Sequence, residues 1–264
     1  MAMVGMVIIL LSILIALLSP YLAPYNPLKQ DLQSIGAGIS REHWLGCDQV
    51  GRDILSRILC GTPITLKIGL ISVILGLILG TVIGAIGGYY GGKTDAVVVF
   101  FTDVLFSFPG MLLAIAIVAA VGAGLGAVII AAGASSIPQF IRITRGVVMA
   151  EKERDYVLAA RAIGEGNLSI IGRYILPNCL AAILVLLTVR IATIILIVSG
   201  LSFLGLGVQP PIPEWGAMLA EGRGYLQKYP HIAMFPGLAI MIVVLAFNLL
   251  GDGLRDALDP KMKI

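Results

Sequence analysis

Charge is scarce in this 264-residue chain: Asp, Glu, Lys and Arg together make up 12% of it, about half the 25% of a soluble domain. With so few charged side chains a water-facing surface could not be covered. The net charge of +3 is too weak to point to nucleic acid. Cysteine is scarce too. Cys47, Cys60 and Cys179 show no CxxC spacing, which argues against a zinc site or a disulfide framework; a Cys47–Cys60 pair stays open if both lie outside the cell. His43 and His231, the two histidines, are far apart in sequence and make a poor metal site, for nickel as for zinc. Ser, His and acidic residues never gather as a nucleophilic centre would need. No GxxxxGK[ST] occurs, so this chain does not bind ATP in that way and carries no cofactor of its own. The N-terminus lacks the basic region and small-residue cleavage site of a signal peptide. Its apolar run therefore reads as a retained transmembrane helix, and the missing basic flank suggests a true start further upstream.

What is abundant is apolar length. Hydrophobic residues reach 58% and mean hydropathy is +1.00. A helix needs about 20 apolar residues to cross a bilayer core, and six stretches qualify: Met3–Leu22, Ile64–Ile86, Val97–Val121, Leu125–Ile143, Pro177–Leu204 and Ile232–Leu250. The fold class is therefore all-α, a polytopic membrane protein of six transmembrane helices in membrane lipid. The third stretch carries Asp103 and the kink signal Phe108-Pro109-Gly110. Gly122-Ala-Gly124 alone parts it from the fourth, predicting a tight helical hairpin. Gly69, Gly76, Gly80 and Gly84 put small residues on one face of the second, a packing groove before it is a conduction lining. Tyr21, Trp44, Trp215 and Tyr225 flank the spans and suit the membrane interface.

Three connections are long: about 23–63, ending in the amphipathic segment Gly51–Leu59; about 144–176; and about 205–231, rich in Pro and Gly. If the second is cytoplasmic, ten Lys and Arg fall on its side of the membrane, Lys261 and Lys263 among them, and seven on the other. That bias favours the arrangement, with both termini inside. The outer loop Gly205–Pro213 before Glu214-Trp215 reads equally as a contact for a binding protein or as a re-entrant cap.

The stretch Glu151–Asn178 is the most polar in the chain. Glu151, Glu153 and Asp155 complement the start of a helix, Ala159, Ala160 and Ala162 favour its continuation, and Gly164 and Gly166 stop it. A second short helix, Leu168–Tyr174, leads to Pro177 at the first turn of the next span. Two short helices across the inner face form either a knob for another protein's groove or an amphipathic helix resting on lipid headgroups. Arg190 stands in the middle of the fifth span, where a charge normally faces the bundle interior or a watery cavity. A solute carboxylate, an acid of this chain such as Asp103, or an acid of a neighbouring subunit could answer it. Asp103, about one turn inside the membrane, also calls for a partner.

Asp155-Tyr-Val-Leu-Ala-Ala-Arg-Ala-Ile-Gly164, followed by Leu176-Pro177, resembles the EAA loop of ABC importer permeases. Leu158 stands where that motif has Glu and Tyr174 where it has Ile, departures usual in the dipeptide, oligopeptide and nickel branch. Four further segments are similar to that branch, in order and at its spacing: Trp44-Leu-Gly-Cys-Asp-Gln-Val-Gly-Arg-Asp-Ile-Leu-Ser-Arg57, with Cys47 in place of the usual Thr; Gly87-Gly-Tyr-Tyr-Gly-Gly-Lys-Thr-Asp95; Leu201-Ser-Phe-Leu-Gly-Leu-Gly207 with Glu214-Trp-Gly216; and Gly251-Asp-Gly-Leu-Arg-Asp-Ala-Leu-Asp-Pro260. The chain resembles the C-type subunit, with an N-terminal helix (1–22), an extracytoplasmic segment (23–63) and a five-helix core (64–264) bearing the coupling loop (144–176).

The resemblance implies a binding-protein-dependent importer in a prokaryotic inner membrane, for peptides or else nickel or its chelate. It implies partners: a second homologous permease, two ATPase subunits that bind and hydrolyse ATP, and an extracytoplasmic solute-binding protein. Asp155, Tyr156, Ala159, Ala160, Arg161, Gly164, Leu176 and Pro177 would form the coupling element, and Arg190 and Asp103 the candidate translocation path. An ion-coupled transporter would predict inverted repeats and several buried acids, and a membrane enzyme a His and acid cluster; neither is visible.

Overall fold

The computed structural model describes residues 1–258. The end of the 251–260 motif, with Lys261 and Lys263, lies outside the described residues. Among these residues every regular element is helical. Ten α-helices follow one another: α1 (Ala2–Leu22), α2 (Ile54–Tyr90), α3 (Gly92–Phe106), α4 (Gly110–Val121), α5 (Leu125–Glu151), α6 (Asp155–Ala162), α7 (Asn167–Ser169), α8 (Leu176–Phe203), α9 (Trp215–Gly222) and α10 (His231–Leu258). A π-helical turn, Ile170–Ile175, joins α7 to α8.

Five helical runs are long and apolar enough to cross a membrane, and a sixth crossing is made if the bent pair α3–α4 counts as one. The pair turns by 89° at the predicted Phe-Pro-Gly signal. Pro109 has no N–H to continue a ladder, and its ring pushes Phe108 out of helical geometry. The expected third span is thus two helices, broken at its kink signal. The hairpin at Gly122 and Gly124 is as predicted; both take positive φ, 104° and 147°, a region that favours glycine.

Glycine also sets how the spans pack. α2 and α5 run parallel, and Gly76, Gly80, Gly84 and Gly88 of α2 meet successive turns of α5. A Cβ at Gly80 would sit 2.4 Å from the Phe140 side chain, and one at Gly84 2.6 Å from the Ile141 carbonyl. The small-residue stripe is a packing groove, as lipid-embedded helices require. Gly69 departs from it and faces Ile195 of α8 instead. Gly5 of α1 abuts Ala246 and Leu250 of α10, so Met1 and Leu258 end on one side. That side, the near side, also carries the α5–α8 connection. The far side carries residues 23–53, the first turns of α2, and α9.

Some boundaries move. The amphipathic segment after Gly51 is continuous with the second span through Pro63, giving a helix of 37 residues. α5 runs on to Glu151, so Glu151 closes a spanning helix rather than opening the next one. The expected helix 168–174 is a single α-turn plus the π-turn, continuous with α8.

Two apolar cores result. The larger gathers Phe140, Ile194, Val198 and Leu201 with Trp215 and Met218. The second lies at the near side and joins Ala85, Tyr89 and Val148 to Val157, Ala160, Ile170 and Ile175.

Candidate functional site

Four of the five short motifs converge on two places. On the far side, residues 44–57 meet α9. Asp53 caps α2 by accepting from the Ser56 N–H at 2.7 Å, and Glu214 caps α9 by accepting from the Gly216 and Ala217 N–H groups at 2.9 Å each. Glu214 is fully buried, and that burial pushes its carboxyl above the ordinary range against the pull of the two N–H donors. Arg52 bridges Asp48 (2.5 Å) and Glu221 (2.6 Å). Arg57 reaches the same two acids at 3.6 and 3.3 Å. His43 contacts Asp53 at 2.9 Å, and the His231 ring contacts the Cys47 carbonyl at 3.2 Å. Trp215, expected at the membrane interface, is buried; its indole N–H donates to the Ile58 carbonyl at 3.1 Å. The outer loop thus folds back as a cap. Cys47 and Cys60 are free, and burial raises the Cys47 thiol to about 11.

On the near side the connection is built around α6. Asp155 lies in its first turn and Arg161 in its last, both favourable to the helix dipole. Val157 and Ala160, three residues apart, share one face and are buried in the second core. The helix closes with paired hydrogen bonds: the Gly164 N–H donates to the Arg161 carbonyl and the Glu165 N–H to the Ala160 carbonyl, each at 3.1 Å. This Schellman closure needs a left-handed residue, and Gly164 supplies it at φ 85°.

Three polar links hold α6 in place. The Tyr156 hydroxyl donates to Glu151 at 2.5 Å and accepts from the Asn178 amide at 3.2 Å, tying α5, α6 and α8 together. Burial, then the Glu151 carboxylate, pushes the Tyr156 hydroxyl up to about 12, so it remains a donor at any physiological pH. Tyr89 donates to Asn167 at 2.9 Å, and the Arg161 guanidinium stands 5.7 Å from the Tyr89 ring. The motif 87–95 thus buttresses α6 directly. Its last residue, Asp95, is held by both arms of Arg145. Pro177, in the first turn of α8, has no N–H for the Arg173 carbonyl, and the turn before it relaxes to π.

The predicted coupling residues therefore divide. Ala160 is buried and Leu176 half-buried, whereas Asp155, Tyr156, Ala159, Arg161, Gly164 and Pro177 are exposed, Tyr156 turning only its hydroxyl to the chain's own groups. Beside Ala159 stand three exposed apolar side chains: Leu158 (44%), Ile163 (77%) and Leu168 (82%). Sequence reasoning missed Ile163 and Leu168, although isolated apolar residues in the most polar stretch were a signal. It also missed the Tyr89–Asn167 link, which no local pattern announces.

The translocation pair is not brought together. Asp103 meets Arg142 at 3.4 Å, with both side chains more than half exposed. Arg190 has no ion pair among the described residues, and its Nε is buried without an acceptor. Of the partners left open for Arg190, Asp103 is thus not the one in this structure: it lies where α5 supplies Arg142.

The family model described as binding-protein-dependent transport system inner membrane component matches residues 72–264. The chain belongs to that family. A second model, the N-terminal TM domain of oligopeptide transport permease C, matches residues 1–37. The permease is 51% identical over 264 residues to the glutathione transport system permease protein GsiD of Shigella flexneri serotype 5b (strain 8401), covering 100% of this chain and 87% of that one. It is 48% identical, with the same coverage, to the protein of that name from Escherichia coli O6:K15:H31 (strain 536 / UPEC). Among solved structures, a chain of the MetNI methionine ABC transporter in an inward facing conformation matches with a TM-score of 0.63 at 19% identity, over 77% of this chain and 96% of that one. A chain of an amino acid ABC transporter matches with a TM-score of 0.55 at 16% identity, over 77% and 95%. At such identities the likeness is one of fold. The permease is thus a subunit of an ABC importer, a transport protein rather than a known enzyme.

Proposed function

We propose that this permease subunit carries peptides, glutathione or a close relative among them, through the membrane, and that α6 with its flanking turns takes up the stroke of a partner ATPase. The carrying observation is the division of α6 into two faces. Val157 and Ala160 are consumed by the chain's own core, so the apolar side chains left outside it are Leu158 and Ile163, with Leu168 just beyond the helix. What projects outward is a short knob of Leu158, Ala159 and Ile163 beside Arg161 and Asp155, small and mixed, the character of a protein groove's occupant. The near side is then cytoplasmic, in keeping with its excess of Lys and Arg, and Met1 and Leu258, the first and last described residues, lie there. The membrane is the inner membrane of a bacterium.

In this reading a second homologous permease completes the path, two ATPases grip one coupling element each, and an extracytoplasmic binding protein delivers the solute to the far side. Closure of the ATPases drags α6. Through Tyr156 and the second core, α5 and α8 move with it as a rigid body, giving alternating access. The peptide assignment rests on the names of the relatives; the nickel alternative gains no observation in its favour. Reconstituting the complete transporter in vesicles and measuring ATP-driven uptake of glutathione tests the reading. Ala159→Asp should abolish uptake while the unfolding midpoint of the purified permease stays unchanged. Undiminished uptake in that variant would overturn the assignment of α6.

A further inference from the structure

Arg190 is the sole charged residue of α8 and stands near the midpoint of its 28 residues. A guanidinium at that depth costs at least about 2.5–3.5 kcal/mol unless it is answered by an anion or water. Nothing described in this chain answers it. Asp103 is taken by Arg142 and Asp95 by Arg145; Arg190 itself enters no ion pair or hydrogen bond among the described residues, and its Nε is buried without an acceptor.

Its position adds a second observation. A cleft of about 650 Å³ opens between α5, α8 and α10. Asp252 and Arg255 stand among its lining residues, and Ile143, Val185, Leu186 and Val189 give it apolar walls. Val189 is the last α8 residue of that lining; Arg190 follows it directly, one turn beyond Leu186. An unpaired cation therefore follows, on the same helix, the last α8 residue of a mostly apolar cleft, without itself being one of its lining residues. Guanidinium presents its donors as a planar fork that matches a carboxylate. A permanent ion pair would hold the path shut, whereas a passing carboxylate would answer the charge only during transport.

We propose that Arg190 is a transient binding point for the C-terminal carboxylate of the transported peptide. The proposal rests on the peptide-importer reading. The test uses the complete transporter in proteoliposomes, with glutathione and its C-terminal amide as probes, in the wild type, R190K and R190Q. The same binding protein serves all three, so its own preference cancels when the acid-to-amide uptake ratios are compared.

The expected result is a fall of about 10- to 100-fold in the acid-to-amide ratio for R190Q. R190K should be intermediate, and recovery of the complex should be unchanged. Equal loss of acid and amide uptake in R190Q would overturn the proposal. So would a complex that falls apart in R190Q, the signature of a fixed pair with an acid of the second permease. Absence of ATP-driven glutathione uptake in the wild type would instead overturn the importer reading, and the proposal with it.

Discussion

The two polar ends of this molecule solve the same problem in opposite ways. Each must gather charged and polar residues at the edge of an apolar bundle. The far-side cap pairs most of its charges internally: Asp48, Arg52 and Arg57 are all buried and converge with Glu221, and Glu214 and Trp215 find their partners within the chain, while Arg57 Nη1 and Gln49 Oε1 stay without one. The near-side connection satisfies only one face. Val157, Ala160 and the Tyr156 hydroxyl are used up by the chain itself, and Leu158, Ile163 and Leu168 are left in the open. A cap that closes on itself is a finished structure, and an α6 with half its face unpaired is an incomplete one. The difference is why the proposed ATPase contact is placed at α6.

Substitutions should separate the two ends by the kind of damage they do. The largest expected loss of stability is at the cap. Arg57→Ala leaves Asp48 and Glu221 with less buried countercharge, and breaking such a network costs about 3–5 kcal/mol. Chemical denaturation in detergent should show a loss of that size. A loss below about 1 kcal/mol would mean that the far-side charges are as weak as surface pairs, and the contrast between the ends would disappear.

Next comes the closure of α6. Gly164→Ala forces a Cβ into left-handed backbone, at about 1–2 kcal/mol. Because the strain falls on the proposed coupling element, ATP hydrolysed per solute imported should rise even where the permease remains folded. Unchanged stoichiometry would show that the geometry of the helix end is dispensable.

A smaller effect concerns pH at the cap. Burial holds the folded Glu214 carboxyl above its unfolded value, so the folded state binds the proton more tightly. Its contribution to stability is therefore most favourable at low pH and declines as pH rises from the ordinary carboxylate range through the folded value. Glu214→Gln keeps an acceptor for the α9 N–H groups and removes the titration. The unfolding midpoint of the variant should depend less on pH across that window, and an identical pH profile would assign the dependence to another group.

Much of this was legible in the sequence. Runs such as Ala2–Leu22 announce spans because lipid tolerates few charges, and Gly122-Ala-Gly124 and Phe-Pro-Gly mark breaks because glycine and proline act locally. The short helix α6 and its stop were readable from Ala159, Ala160 and Gly164, whose small size and backbone freedom are visible one residue at a time. What escaped depends on chain returning from a distance. Trp215 reads as interfacial until the outer loop folds back and gives its N–H the Ile58 carbonyl. The amphipathic turn at 54–59 reads as separate because Pro63 looks like a break, yet helices with interior proline are tolerated where neighbours pack around them. Asp103 and Arg190 are plausible partners by depth alone; Arg142, brought close by α5, decides otherwise.

The most direct test of an incomplete near side is a double variant, Leu158→Asp with Ile163→Asp, made in the intact transporter. Both side chains are exposed and outside either core, so the permease should unfold within about 0.5 kcal/mol of the wild type. Copurification of the ATPase subunits should nevertheless be lost. An ATPase that stays bound at wild-type yield, or a permease that unfolds with the substitution, would contradict the view that this face is kept open for a partner.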